Sequence, residues 1–81
     1  MDAEKLVQMA NRIGTFFEPM ADHAEAVRGV ATHLRRFWAP SLRRELLECI
    51  DAGGAALLPI VREAIAAHRA LLEPPPDRAA G

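Results

Sequence analysis

Four arginines, a phenylalanine and a tryptophan crowd into one short stretch: Arg35, Arg36, Phe37, Trp38, Arg43 and Arg44. Arginine and tryptophan each combine a large buried area with directional contacts, so the grouping suits gripping a partner. A second reading places Phe37 and Trp38 in a core and leaves the arginines as a solvated face. A third is nucleic acid, with Pro40 imitating the corner of a helix-turn-helix. That corner usually carries glycine, and its recognition helix is usually longer and polar-rich. The net charge of −1 also lacks the broad basic field of a nucleic-acid protein. Phe16 and Phe17 form a second candidate contact. Neighbours on a helix point ~100° apart, so one ring is expected to cap the core and the other to be available to a partner, the alternative being that both are hidden at the helix end.

Other reactive residues are sparse. His23, His33 and His68 never stand three or four apart, the spacing that lets two helical histidines share a zinc ion. His68 lies on an apolar stripe and reads as a hydrogen-bonded core residue, while His33 stands one turn before Phe37 and is placed to pack at the elbow. Cys49 has no second cysteine to pair with, which excludes an internal disulfide. On the inward face of a helix it reads as an inert thiol. The pair Gly53-Gly54 is followed by no Lys-Ser/Thr, so it is a helix stop rather than a phosphate loop. Neither a nucleophile elbow nor paired carboxylates in an apolar stretch occur, so catalytic, cofactor-binding and metal-ligating residues are all expected to be absent.

Helices are what position these groups. A first helix is predicted over residues 3–17, from the stripe Leu6, Met9, Ile13 and Phe16 and the stop at Pro19. Asp2 and Glu4 suit its N-terminal end, and Ala10 with Gly14 would let another backbone approach. Asp22 and Glu25 resemble a capping box for a second helix carrying Val27, Val30, Ala31, Leu34, Phe37 and Trp38. Pro40 ends it. A third helix is predicted over 41–50 with Leu42, Leu46, Cys49 and Ile50 inward, stopped by Gly53-Gly54. The fourth starts at Pro59 with the stripe Val61, Ala64, Ile65, His68 and Leu72, and Pro74-Pro75-Pro76 ends it. No segment alternates with period two. The expected architecture is all-α: a three- or four-helix bundle over 1–73 and a disordered proline-rich tail over 74–81.

Length and charge set the remaining bounds. The 81 residues are 51% hydrophobic and 26% charged, which makes one small globular domain. A core of this size supplies only ~3–5 kcal/mol without staples, and a permanent partner is the usual remedy. Residues 1–25 and 45–81 each carry −3, whereas 26–44 carry +5, so the elbow is a basic spot on an acidic chain. The acidic opening Met1-Asp2-Ala3-Glu4 is unlike a secretory signal, and the apolar runs, such as Ala55-Ala56-Leu57-Leu58, are too short for a membrane span. A lone thiol in an unstapled domain suits the cytoplasm.

Two blocks in order add a family likeness: Met9-Ala10-Asn11-Arg12-Ile13-Gly14-Thr15-Phe16-Phe17 and His33-Leu34-Arg35-Arg36-Phe37-Trp38-Ala39-Pro40. Together with a weaker third block, Leu57-Leu58-Pro59-Ile60-Val61-Arg62-Glu63-Ala64, they resemble the delta subunit of soluble NAD-dependent molybdenum formate dehydrogenase over residues 5–70. The family pattern favours Asp before the proline and Arg-Met after it, where this chain has Ala39, Ser41 and Leu42. The third helix therefore lacks its obvious cap unless Ser41 takes over.

The resemblance implies a non-catalytic accessory subunit that binds and stabilises the enzyme complex or assists its cofactor insertion. It implies a catalytic alpha subunit with bis-molybdopterin guanine dinucleotide and iron–sulfur clusters, and companion subunits with FMN. This chain, with one cysteine, supplies no cluster ligands of its own. The expected contact residues are Phe16, Phe17, Arg35, Arg36, Phe37, Trp38, Arg43 and Arg44. A free-standing regulator gripping nucleic acid through the Arg35–Arg44 elbow is the alternative.

Overall fold

Two aspartates start the two longest helices. Asp2 accepts from the Glu4 backbone N–H and Asp22 from that of Glu25, each at 3.2 Å, so donors that a helix N-terminus leaves orphaned are satisfied. In the computed structural model, which describes residues 2–74, α1 runs Ala3–Phe17 and α2 His23–Phe37. They are followed by α3 at Pro40–Asp51, α4 at Pro59–Ala67 and the single turn α5 at Arg69–Leu72. Among the described residues there is no strand, and the chain is an all-α bundle. Of the tail expected over 74–81, all but Pro74 lies outside the described residues.

Helix α2 is the central element, packed against α1, α4 and α5. Its Ala26, Val27, Val30, Ala31 and Leu34 are buried, and they meet Leu6 and Ala10 of α1 and Ile60, Val61, Ala64 and Ile65 of α4. Each fully buried Leu, Val or Ile is worth roughly 1.5–3 kcal/mol relative to exposure, so this cluster carries most of the drive to fold. Gly14 permits the close approach of α1 to α4. A Cβ there would lie 2.7 Å from Val61 Cγ2 and 3.1 Å from Ile60 Cγ2.

One open point closes and two local expectations need correction. Ser41 does not cap α3: its N-cap is Ala39, with no side-chain hydrogen bond, and Pro40 supplies the helical φ instead. The inward line of α3 is Arg43, Leu46 and Leu47, while Leu42, Cys49 and Ile50 are half-buried against the core. The fourth helix is not continuous. It breaks at His68, whose φ of −127° and ψ of 34° leave the helical region, so His68 is a half-buried joint rather than a hydrogen-bonded core residue.

Polar ties fix the remaining joints. Arg69 donates to both carboxylate oxygens of Asp51, at 3.0 and 2.8 Å, and to Glu73 at 3.3 Å. This joins the end of α3 to α5. His23 Nε2 lies 2.9 Å from Glu63 Oε1 and joins the start of α2 to α4. Between α3 and α4, Gly53 and Gly54 take φ of +123° and +59°, a region where side chains other than glycine's are strained.

Candidate partner-docking surface

Along the α1–α2 seam, four aromatic rings form a ladder. Phe16 and Phe17 meet edge-on with centroids 5.1 Å apart, Phe17 and His33 lie 6.4 Å apart, and His33 and Phe37 lie 4.8 Å apart. An edge-to-face pair such as Phe16–Phe17 adds about 0.5–1.5 kcal/mol beyond burial. The ladder depends on Gly29, because a Cβ at that position would sit 2.6 Å from the Phe17 ring. Phe17 thus lies down across α2 while Phe16 stands 77% exposed. Phe37 is 68% exposed at the other end, with the Arg36 guanidinium 5.7 Å from its ring centroid.

Two open grooves flank the middle of the ladder and share Phe17 and His33 as a wall. One, of about 360 Å³, is lined by Met9, Arg12, Ile13, Phe16 and Trp38 besides the wall. The second, of about 400 Å³, has Met20, Arg28, Thr32, Arg36 and Phe37 at its sides and Glu25 among its lining residues. Arg12 and Arg28 form no ion pair or side-chain hydrogen bond among the described residues. Exposed phenylalanine, methionine and arginine are the residue types enriched at protein interfaces.

The eight residues singled out from sequence do not share one environment. Phe16, Arg36 and Phe37 stand at the ladder, exposed, and Phe17 is half-buried within it. Trp38 is buried, 8% exposed, and lines the first groove from beneath. Arg35 is exposed and donates to the Leu71 carbonyl at 3.3 Å, and Arg44 is exposed on α3. Arg43 corrects the sequence expectation: it is only 5% exposed and faces inward. Its Nη1 donates to the carbonyls of Leu71 and Leu72 at 3.3 and 3.4 Å, closing the C-terminal end of α5. Burial and the nearby Arg35 charge lower its pKa from the usual arginine value. A buried arginine satisfying carbonyls is a structural cap, and it leaves no surface for a partner.

Sequence reasoning set Met9 and Ile13 on one stripe with Phe16 but missed Arg12, Met20, Arg28 and Gly29 as neighbours of the aromatics. Some of the signal was present, since Arg12 stands one helical turn before Phe16, and Gly29, His33 and Phe37 follow at four-residue steps on one face of α2.

Among the described residues no group of three or more His, Cys, Asp or Glu side chains could hold a metal ion. No helix among them is long and apolar enough to cross a membrane. A family model described as the NADH-dependent formate dehydrogenase delta subunit, FdsD, matches residues 5–65. The chain belongs to this family. Comparison with curated proteins and with solved structures returned no match. The FdsD match contains the ladder, both grooves and most of α4.

Inside the matched region, the first and third sequence blocks meet. Asn11 Oδ1 accepts from the Leu58 N–H at 2.8 Å and its Nδ2 donates to the Ala56 carbonyl at 3.0 Å, three residues before Gly14 seats α1 on Val61. The second block supplies His33 and Phe37 to the ladder. Two blocks therefore build the frame, and the paired phenylalanines of the first join the second at the surface.

Proposed function

We propose that this FdsD-family chain is a non-catalytic accessory subunit. It binds and stabilises a cytoplasmic NADH-dependent formate dehydrogenase complex or assists cofactor insertion into it. The catalytic alpha subunit would carry the bis-molybdopterin guanine dinucleotide and iron–sulfur clusters, and companion subunits the FMN. The contact surface is the ladder with Phe16, Phe17, Arg36 and Phe37, supported from below by Trp38 and flanked by Arg35 and Arg44. The observation that carries this reading is the family match, joined to an exposed aromatic and arginine surface on so small a domain. A chain this short gains little from its own core and gains stability by mass action from a bound partner.

The test is gentle affinity purification of the tagged chain from its native host. Formate dehydrogenase subunits should co-elute, and a chain eluting alone refutes the reading. Phe37→Ala should cut retention of the complex while preserving helicity, because the ring is exposed and outside the buried core. Arg62→Ala, on the exposed face of α4, should leave retention unchanged. Equal retention of the Phe37 and Arg62 variants would remove the ladder as the contact.

A further inference from the structure

We infer that the occupant of the two grooves is an acidic amphipathic helix of the partner complex, laid along the ladder from Phe16 to Phe37. This rests on the accessory-subunit reading above and adds the chemistry of what docks. The shape argues for a helix. Successive ladder rings step by 5.1, 6.4 and 4.8 Å, and an α-helix rises ~5.4 Å per turn. A helix lying along the rings therefore presents side chains spaced i, i+3 or i+4, and i+7 to successive rungs, the usual pattern of helix-in-groove recognition. Phe17 and His33 are shared by two grooves of about 360 and 400 Å³, each suited to one large apolar side chain.

The charge fixes the sign of the partner. Arg12 borders the first groove, and Arg28 and Arg36 border the second. Arg12 and Arg28 are unpaired among the described residues, and Arg36 has only the Phe37 ring. Past Glu25 in its first turn, α2 carries no acid, and none follows until Glu45 in α3, so the arginine side of this rim has no carboxylate on residues 26–44. Carboxylates flanking the apolar anchors of an incoming helix would meet these guanidiniums with directional hydrogen bonds. Glu25 lines the second groove at the N-terminal end of α2 and gives that end the opposite sign, which sets the direction of the bound helix. A second copy of this chain fits poorly. In a two-fold pair the same arginine rim would face itself, and like charges opposed across an interface cost affinity.

The test uses the full-length tagged chain in its native host, with Phe16 or Phe37 replaced by photoreactive p-benzoylphenylalanine. After irradiation the cross-linked peptide is identified by mass spectrometry. The expected product is a formate dehydrogenase segment with apolar residues three and four apart and Asp or Glu beside them. In parallel, Arg28→Glu with Arg36→Glu should lower retention of the complex at least tenfold while preserving helicity and melting temperature. Wild-type retention should fall steeply as salt rises from about 0.05 to 0.5 M, because exposed charges are screened over a few ångströms at the upper end. A cross-link to a basic or non-helical segment, to a second copy or to nucleic acid overturns the inference. So does undiminished retention of the double variant. In contrast, a chain that captures no formate dehydrogenase subunit under any condition defeats the accessory-subunit reading itself.

Discussion

The Asn11 side chain holds the backbone of Leu58, 47 positions away, by accepting its N–H at 2.8 Å. The same amide donates to Ala56 at 3.0 Å, so one residue of α1 fixes both sides of the approach to α4. Leu58 is the N-cap residue of α4 and has no hydroxyl or carboxylate with which to organise that turn. The amide of Asn11 provides the order that the local sequence lacks.

Replacing Asn11 by Ala should therefore lower stability by about 1–3 kcal/mol, the cost of leaving a part-buried donor unpaired and losing a second bond. Urea denaturation would read this as a lower midpoint at unchanged slope. Asn11→Asp keeps the acceptor for Leu58 but loses the donor to Ala56, so its midpoint should fall between the two.

Gly14→Ala sets helix propensity against packing. Alanine gains ~1 kcal/mol in a helix interior, but its methyl would lie 2.7 Å from the buried, β-branched Val61. Overpacking of that kind typically costs ~1–3 kcal/mol, so the net change should be destabilising. Combining Gly14→Ala with Val61→Ala should show a favourable coupling in a double-mutant cycle, since the second change makes room for the first.

Arg43 and Arg44 are adjacent and should behave oppositely. Arg43→Ala strips the cap from the Leu72 carbonyl, leaves the Leu71 carbonyl to Arg35 alone and removes buried packing, so it should lower stability by about 1–3 kcal/mol. Arg44→Ala should stay within about 0.5 kcal/mol, as a surface substitution does. Thermal melts monitored by circular dichroism separate the two directly.

The Asp51–Arg69 pair gives an acid signature. Hydrogen bonding from Arg69, with its nearby charge, holds the Asp51 carboxyl below its ordinary pKa despite some opposing desolvation. A depressed folded-state pKa means the unfolded chain binds the proton more readily. The resulting stability is present above the unfolded value of ~3.9 and is lost as pH falls through the folded value. Asp51→Asn should thus melt lower than wild type at pH 7, with the difference shrinking as acid is added below about pH 4.

Much of the fold was legible because its signals are local. The stripe Leu6, Met9 and Ile13, the acid Asp2 at the dipole's positive end, the cap Asp22, and the stops at Pro19, Pro40 and Gly53 set the first three helices within a residue or so of their observed bounds. That Phe16 and Phe17 point apart followed from the angular spacing of neighbours on a helix, but which ring stands exposed did not. Arg43 was misplaced because a run of arginines suggests a wet face. Its position in the series 43, 46, 47 was the better guide, since that spacing is the buried line of α3. The break at His68 has no proline or glycine to announce it. The grip of Asn11 on Leu58 joins residues that no local pattern relates, and the seating of Phe17 over Gly29 appears only when α1 and α2 pair.

That seating gives the surface a composite character. Its rings come from two separate helices, and the register between them is set by one missing methyl group at Gly29. No linear fragment of the chain reproduces it. A binder that read the whole ladder would thereby read tertiary structure rather than a linear segment.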